Sequence, residues 1–148
     1  MALPPDLSTS MKDTLIAGGY SLLLGAGASF DSENTKGNLP LGDKQRTDLV
    51  ALKALRPKSS LARAYGALAP GEIDTHITDR FINCIAGPSL LKIPAFNWRR
   101  IYSLNIDDAL EAAYKATFGH QKPIPLTHLS PYIEATDVDS IQLVHIHG

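Results

Sequence analysis

The chain has 148 residues, of which 44% are hydrophobic and 20% charged, a composition typical of one globular domain. The formal net charge of −1 excludes the strongly basic surface by which nucleic acids or anionic membranes are commonly bound. A single cysteine, Cys84, excludes an internal disulfide and a zinc site built on a cysteine pair. We expect Cys84 to be a small buried hydrophobic residue.

The two ends of the sequence bear on localisation and completeness. The first ten residues, MALPPDLSTS, lack the basic and apolar regions of a secretory signal. No apolar run approaches the roughly 18 residues that a membrane span requires, so the sequence predicts a cytoplasmic protein without a membrane partner. The chain ends on IQLVHIHG, which has the pattern of a strand. We therefore expect the C-terminal part of the fold to be missing, the chain to be a fragment of a longer protein, and this fragment by itself to be inactive or nearly so.

The first half of the chain predicts one buried strand among helices. A helix capped at Ser8, Thr9 or Ser10 should end at the glycine pair 18–19. The apolar run 20–24 predicts a strand covered on both faces, and the polar segment 30–42 predicts a long loop that could act as a lid. Three further helices, which we group as a helical subregion over residues 43–87, are predicted over 43–55, with Asp43 as its cap, over 59–69 and over 74–87.

The second half repeats the order of strand, turn and helix. Residues 101–104 predict a strand, and a helix should follow from Asp107 or Asp108 to Gly119. The proline-rich segment 123–131 is interpreted as an extended connector, and residues 141–147 as the last strand. This alternation predicts an α/β fold over residues 1–148, with a Rossmann-like parallel sheet, helices on both faces and a helical insertion.

In such folds, ligands bind at the carboxyl ends of the strands. The first strand ends in a run of small residues: Gly25, Ala26, Gly27, Ala28 and Ser29. Without large side chains, a pyrophosphate could approach the backbone N–H groups at the start of the following helix, and Ser29 could add a hydroxyl donor. Glycines also serve tight turns between strand and helix, so this alternative stays open. Phe30 stands where the dinucleotide fingerprint has a glycine, so a hydride-transfer Rossmann site is not matched.

The second strand end carries one amide and two carboxylates. Asn105 follows the strand directly, and its amide could donate to, or orient, a water molecule or a ribose hydroxyl. Asp107 and Asp108 could bind a ligand or could simply cap the next helix.

The third strand end carries His145 and His147, which lie on the same face of a strand. We expect no metal site here, because this strand supplies no acidic or cysteine partner. His147, followed by Gly148, could instead act as a general base near neutral pH.

Taken in order, GAGAS (25–29), SLNID (103–107) and HG (147–148) resemble the sirtuin superfamily. The similarity is greatest to the sirtuin-like domains at the N-termini of bacterial antiphage-defence proteins. There the second motif continues into a helix with leucine and glutamate, as SLNIDDALEAAY does here, and the segment NWRRIYS before it fits as well.

The resemblance implies a Rossmann-like fold that binds NAD as its substrate and cleaves the bond between nicotinamide and ribose. By the same resemblance, Asn105 would order the water or ribose, Asp107 would hold the nicotinamide amide and His147 would be the base. The implied NAD-binding positions are Gly25, Ala26, Gly27, Ala28, Ser29, Ser103 and Asp107.

At two places this chain departs from the pattern of the protein deacylases, which form one branch of the family. Protein deacylases carry a proline-aspartate-phenylalanine-arginine segment after the glycine motif, where this chain has NLPLGDKQRTDL, and a glutamine before the asparagine, where it has Leu104. The resemblance therefore favours an NAD glycohydrolase, a defence effector that depletes NAD by forming nicotinamide and ADP-ribose. The alternatives are a catalytically silent module for NAD, ADP-ribose or assembly and, less favoured, an NAD-dependent deacylase. We expect a further C-terminal domain or partner protein of a defence system, a homo-oligomer, and no direct binding of nucleic acid.

Overall fold

The structure, a computed structural model, describes residues 5–117, 119–127, 129–131, 133–134 and 138–146. His147 and Gly148, which the sequence assigned to the site, lie outside the described residues. The elements in chain order are α1 (Pro5–Ile16), β1 (Ser21–Leu24), a first 3₁₀ helix (Ala26–Ser29), β2 (Glu33–Asn34), β3 (Gly37–Asn38), α2 (Gly42–Leu52), α3 (Leu61–Gly66), α4 (Pro70–Ile73), a π-helical turn (Asp74–Thr78), α5 (Asp79–Phe81), a second 3₁₀ helix (Leu90–Ala95), β4 (Arg100–Ser103), α6 (Ala109–Ala116), β5 (Lys122–Thr127) and β6 (Ser140–His145).

Four parallel strands form the main sheet in the order β1-β4-β6-β5. Leu22, Ile101 and Leu143 face one another across the three neighbouring strands β1, β4 and β6. On this face the sheet packs against apolar residues of α6 and of the second 3₁₀ helix, and together they form the main core. The predicted α/β architecture, a Rossmann-like parallel sheet flanked by helices, is therefore confirmed.

β5 includes residues 123–127 of the segment that we interpreted as a connector, so that interpretation was wrong for these residues. It pairs along its whole length with β6, from Lys122 beside Ser140 to Thr127 beside His145, and forms one edge of the sheet. Proline cannot donate a ladder hydrogen bond and is tolerated in edge strands. Pro123 and Pro125 alternate along β5, so both nitrogens face the same side of the strand.

α1 ends as predicted but begins earlier. Its first residue is Pro5 rather than a residue after Ser8–Ser10, and proline suits the first turn because its missing N–H is not needed there. At the other end, Gly18 adopts a left-handed φ of +69°, which glycine reaches without strain. Among the described residues, no helix is both long and apolar enough to cross a membrane.

The loop predicted over residues 30–42 contains the small antiparallel hairpin β2–β3. Asn34 at the end of β2 is buried, and its side-chain amide donates to the backbone carbonyls of Asp79, Arg80 and Ile82. Glu33 and Ile85 exchange two backbone hydrogen bonds. The segment is therefore attached to the helical region rather than hanging over it as an unstructured lid.

The helical region has its own small core, formed by Leu49, Val50 and Ala64. Two predicted boundaries were wrong. α2 begins at Gly42 with Leu41 at its N-cap, so Asp43 is not the cap. The last helical stretch ends at Phe81, well before residue 87.

A tertiary contact explains this early end of α5. The backbone N–H groups of Asn83 and Cys84 donate to the two carboxylate oxygens of Asp108, so they are withdrawn from any helix. Asn83 takes a left-handed φ of +55° at this point, which asparagine tolerates better than most residues. Cys84 is buried, as expected, and burial raises the pKa of its thiol to about 12.

Candidate functional site

The carboxyl ends of β1 and β4 bring two of the sequence motifs together. Leu24 and Ser103 are register partners, so the segments that follow them start side by side. Ser29, Asn105 and Asp107 are all buried. The Asn105 amide nitrogen lies 2.7 Å from the Ser29 hydroxyl oxygen, which lies 2.9 Å from an Asp107 carboxylate oxygen. The structure therefore assembles three of the predicted residues into one hydrogen-bonded group.

The direction of these hydrogen bonds defines the orientation of the Asn105 side-chain amide. Its Nδ2 donates to Ser29 Oγ, so the hydroxyl proton of Ser29 is directed to Asp107 Oδ1. Asn105 Oδ1 is buried and has no hydrogen-bond partner within the described part of the chain. Such an oxygen costs about 1–3 kcal/mol of stability if nothing donates to it. Less than 1 Å² of this oxygen is accessible, so a hydrogen bond from a ligand in the cavity would require the Asn105 side chain or its neighbours to shift.

Ser103 forms a hydrogen bond with the backbone of Asn105. Its hydroxyl accepts the backbone N–H of Asn105 at 3.1 Å, and its side chain is buried. Ser103 is not among the residues that line the adjacent cavity. In this structure its contact is with Asn105.

Asp107 is a buried carboxyl, and burial raises its pKa. Hydrogen bonds from the Ser29 hydroxyl and the Ala109 backbone N–H act in the opposite direction, while the charges of Asp108 and Glu111 raise the pKa further. Of the two predicted caps, Asp108 occupies the N-cap position of α6, but its side chain makes no capping bond. Asp107 Oδ1 receives the Ala109 N–H at 3.2 Å instead, so its carboxyl both starts the helix and faces the cavity.

The glycine-rich turn after β1 leaves open space above its backbone. A Cβ atom placed on Gly25 or Gly27 would meet no protein atom within 4 Å. Neither residue has a positive φ; among the described glycines only Gly18 and Gly37 do. Neither backbone strain nor packing inside the described structure therefore demands glycine here, and this weakens the alternative of a purely structural turn.

The segment after this turn differs from the prediction. We expected a helix whose dipole would face a pyrophosphate, but the structure has only the four-residue 3₁₀ helix Ala26–Ser29. Such a short helix has almost no summed dipole. Any attraction of an anion must therefore come from individual N–H groups.

A cavity of about 360 Å³ adjoins the hydrogen-bonded group, a volume within the usual range for small-molecule sites. The sheet side contributes the turn residue Ala26 and the segment after β4, including Leu104. The opposite wall comes from the β3–α2 segment, from α2, α3 and α5. On this side the cavity is lined by Leu39, Pro40, Leu41, Gly42, Gln45, Leu61, Tyr65 and Phe81.

Sequence reasoning did not find this opposite wall. Its residues are ordinary apolar residues of helices and loops, and no local pattern distinguishes them from core residues. Gln45 is a partial exception, because a buried glutamine within a helix is unusual. Its side chain donates to the backbone carbonyl of His76, which gives it a structural partner.

His145, at the end of β6, is held by a carboxylate of α6. Its Nε2 lies 2.5 Å from Glu111 Oε1 on α6. The hydrogen bond with Glu111 is the main reason that the pKa of His145 is raised; burial acts in the opposite direction, and the negative charge of Glu111 raises the pKa further. The sequence marked His145 only as a neighbour of His147, because its partner lies on a helix 34 residues earlier.

Within the described residues, no group of three or more histidine, cysteine, aspartate or glutamate side chains is placed to hold a metal ion. Comparison with protein-family models gives no match to the chain. Comparison with curated proteins gives no significant match either. The chemistry of the site therefore rests on its geometry and on the motif resemblance.

Proposed function

We propose that the chain supplies the NAD-binding and NAD-cleaving domain of an NAD glycohydrolase of sirtuin-like type, which cleaves NAD to nicotinamide and ADP-ribose. The observation that carries this proposal is the buried group Ser29–Asn105–Asp107, which faces an apolar cavity beside an open glycine turn. The motif resemblance supplies the reaction. From the resemblance alone, we also propose that NAD depletion serves defence, with a further domain or partner protein.

The residues present fit the parts of NAD. The pyrophosphate would lie over Gly25 and Gly27, where a side chain would fill the free space. The nicotinamide ring and its ribose would occupy the cavity, between apolar walls that include Tyr65 and Phe81. After a small shift that exposes it, Asn105 Oδ1 would accept from the ribose or a water molecule, and Asp107 would accept from the carboxamide of nicotinamide.

Hydrolysis breaks the bond between ribose C1′ and the pyridine nitrogen, and the electron pair moves to that nitrogen. The oxygen of a water molecule forms the new bond to C1′ and releases a proton. Because C1′ develops positive charge before the new bond is complete, positioning and fixed dipoles should supply most of the acceleration. Asn105, locked by Ser29, would orient the water or the ribose. By the resemblance, His147 would accept this proton as the general base. His147 lies outside the described residues.

The apolar cavity supports hydrolysis better than deacylation. Leu104, which replaces the glutamine of the deacylases, is partly exposed and lines the cavity. An apolar side chain there offers no hydrogen bond to an acylated peptide or to the ribose.

The test measures nicotinamide released from NAD, without any acylated peptide, by the purified chain and by a version extended by its native continuation. Asn105→Ala and Ser29→Ala should each lower the rate about a hundredfold, because a small displacement of a positioning group has effects of that size. Ser32→Ala is the matched control. Ser32 is a buried serine of the same segment whose hydroxyl accepts the Gly87 N–H, so its loss should reduce stability without this loss of rate.

Calorimetry with NAD separates the outcomes. Binding without release of nicotinamide would favour the silent binding module. Release that requires an acylated peptide would favour a deacylase. The absence of both NAD binding and nicotinamide release in the extended version would contradict the proposal.

A further inference from the structure

Asp107 and Phe81 line the cavity from different sides, and Asp108 connects them. Asp107 belongs to the segment after β4, whereas Phe81 is the last residue of α5. Asp108 is not among the lining residues, but its backbone N–H donates to the Phe81 carbonyl oxygen at 3.2 Å. The two sides of the cavity are therefore joined at the residue that follows Asp107.

The Asp108 carboxylate reinforces this junction. Its two oxygens accept the backbone N–H groups of Asn83 and Cys84, each at 2.9 Å. Hydrogen bonds to a charged acceptor are about twice as strong as those between neutral groups. After Phe81 the chain continues through an extended Ile82 and a left-handed Asn83. The carboxylate therefore holds the turn that directly follows the wall residue.

A second side chain holds the end of α5, but from the other direction. Asn34 of β2 donates to the carbonyl oxygens of Asp79, Arg80 and Ile82. These hydrogen bonds attach α5 to the hairpin, whereas those of Asp108 attach it to the segment that carries the site. A change at Asp108 should therefore alter how α5 sits relative to the site while its attachment to the hairpin persists.

We propose that Asp108 is a positioning residue that fixes the Phe81 wall relative to Asp107. Phe81 is only 7% exposed, so the position of its ring follows the backbone around it. The inference rests on the function proposed above, which places the nicotinamide ring between apolar walls and its carboxamide at Asp107. Asp108 then determines the fit of the nicotinamide end of NAD, and the pyrophosphate end at the glycine turn does not depend on it.

The experiment measures the affinities of nicotinamide and of ADP-ribose by NMR titration, in the version of the chain extended by its native continuation. The variants are Asp108→Asn and Asp108→Ala. Asparagine keeps one acceptor oxygen but presents an NH₂ group in place of the other, and alanine accepts neither N–H. We expect the affinity for nicotinamide to fall about tenfold in Asp108→Asn, since lost contacts in an apolar pocket have effects of this size, and further in Asp108→Ala. The affinity for ADP-ribose should hardly change.

Gln121→Ala is the control for lost stability. Gln121 is buried, and its side chain accepts the N–H of Trp98 and donates to the carbonyl of the same residue. Both residues precede strands, so they lie at the edge of the sheet opposite the site. Gln121→Ala should lower the melting temperature while the affinities for nicotinamide and ADP-ribose keep their ratio.

A double variant tests whether Asp108 acts through Phe81. Phe81→Leu alters the wall directly, so Asp108→Asn should cost less nicotinamide affinity when Phe81→Leu is already present. Additive losses would overturn the inference, as would equal losses for nicotinamide and ADP-ribose. A lowered melting temperature with unchanged nicotinamide affinity would also overturn it, because Asp108 would then only stabilise the fold.

Failure of the proposed function is recognised separately. If NAD is not cleaved, but nicotinamide binds and its affinity falls selectively in Asp108→Asn, the positioning role stands and the proposed reaction does not. If nicotinamide does not bind to the extended version, the inference is overturned.

Discussion

At the scale of single residues, Asp107 combines a stability cost with its role in the site. Its pKa is raised chiefly by burial, so the folded state binds a proton more tightly than the unfolded chain does. Stability is then greatest when the carboxyl is protonated and declines as the pH rises from the ordinary aspartate value of 3.8 through the folded value. Above that window the folded protein carries a constant penalty for the buried charge.

Asp107→Asn should remove this penalty while keeping the bonds from Ser29 and Ala109, since an amide oxygen accepts both. We expect the melting temperature at neutral pH to equal or exceed that of the unmodified chain, the difference to vanish in acid, and nicotinamide release to fall. Thermal unfolding across pH measures this. Asp13→Asn, at an exposed position of α1, is the control. A neutral-pH melting temperature clearly lower in Asp107→Asn would show that the charge stabilises the fold.

At the scale of elements, a substitution in the turn between β1 and β2 should change the affinity for NAD without changing the stability of the fold. Gly27→Val places a branched side chain where no protein atom lies within 4 Å, so the melting temperature should hardly change. Affinity for NAD should fall at least about tenfold, or 1.4 kcal/mol, because the side chain occupies the space assigned to the pyrophosphate.

Gly71→Val in α4 is the matched control, since a Cβ there also meets nothing within 4 Å. Calorimetry on both variants, with an NAD analogue that resists cleavage, decides the matter. Equal affinity in the two would show that nothing binds over the turn, and the glycines would then need another explanation.

At the scale of the whole molecule, the two edges of the sheet differ in protection. β5 carries prolines at alternate positions, which discourage pairing with another strand. β1 forms the other edge among the described strands, and its Leu23 is 63% exposed. Exposed apolar residues next to an open edge promote self-association.

Leu23→Lys should therefore reduce self-association at high concentration, while the free energy of unfolding changes by no more than about 0.5 kcal/mol. Sedimentation velocity over a concentration series measures it. Leu129→Lys, at a residue 82% exposed after β5, adds the same charge away from β1. An equal effect of both substitutions would attribute the change to net charge rather than to the β1 edge.

The sequence by itself determined the sheet type and the edge of the sheet at which its first two motifs meet. Apolar runs that stop at Gly25 and at Asn105 are local signals, and parallel strands must bring their carboxyl ends to one edge of the sheet. The contact between the two motifs then follows from topology, although their side chains are 76 residues apart.

Only the tertiary structure decided the features that depend on contacts between residues far apart in the sequence. Asp108 ends α5 because its carboxylate accepts the backbone N–H groups of Asn83 and Cys84. β5 forms a strand with β6 despite its prolines, because an edge strand needs ladder hydrogen bonds on one side only. The cavity wall and the pair of Glu111 with His145 join residues far apart in sequence. Hydrophobic periodicity specifies which face of an element is buried, but not which element covers it, so these partners emerge only when the chain has packed.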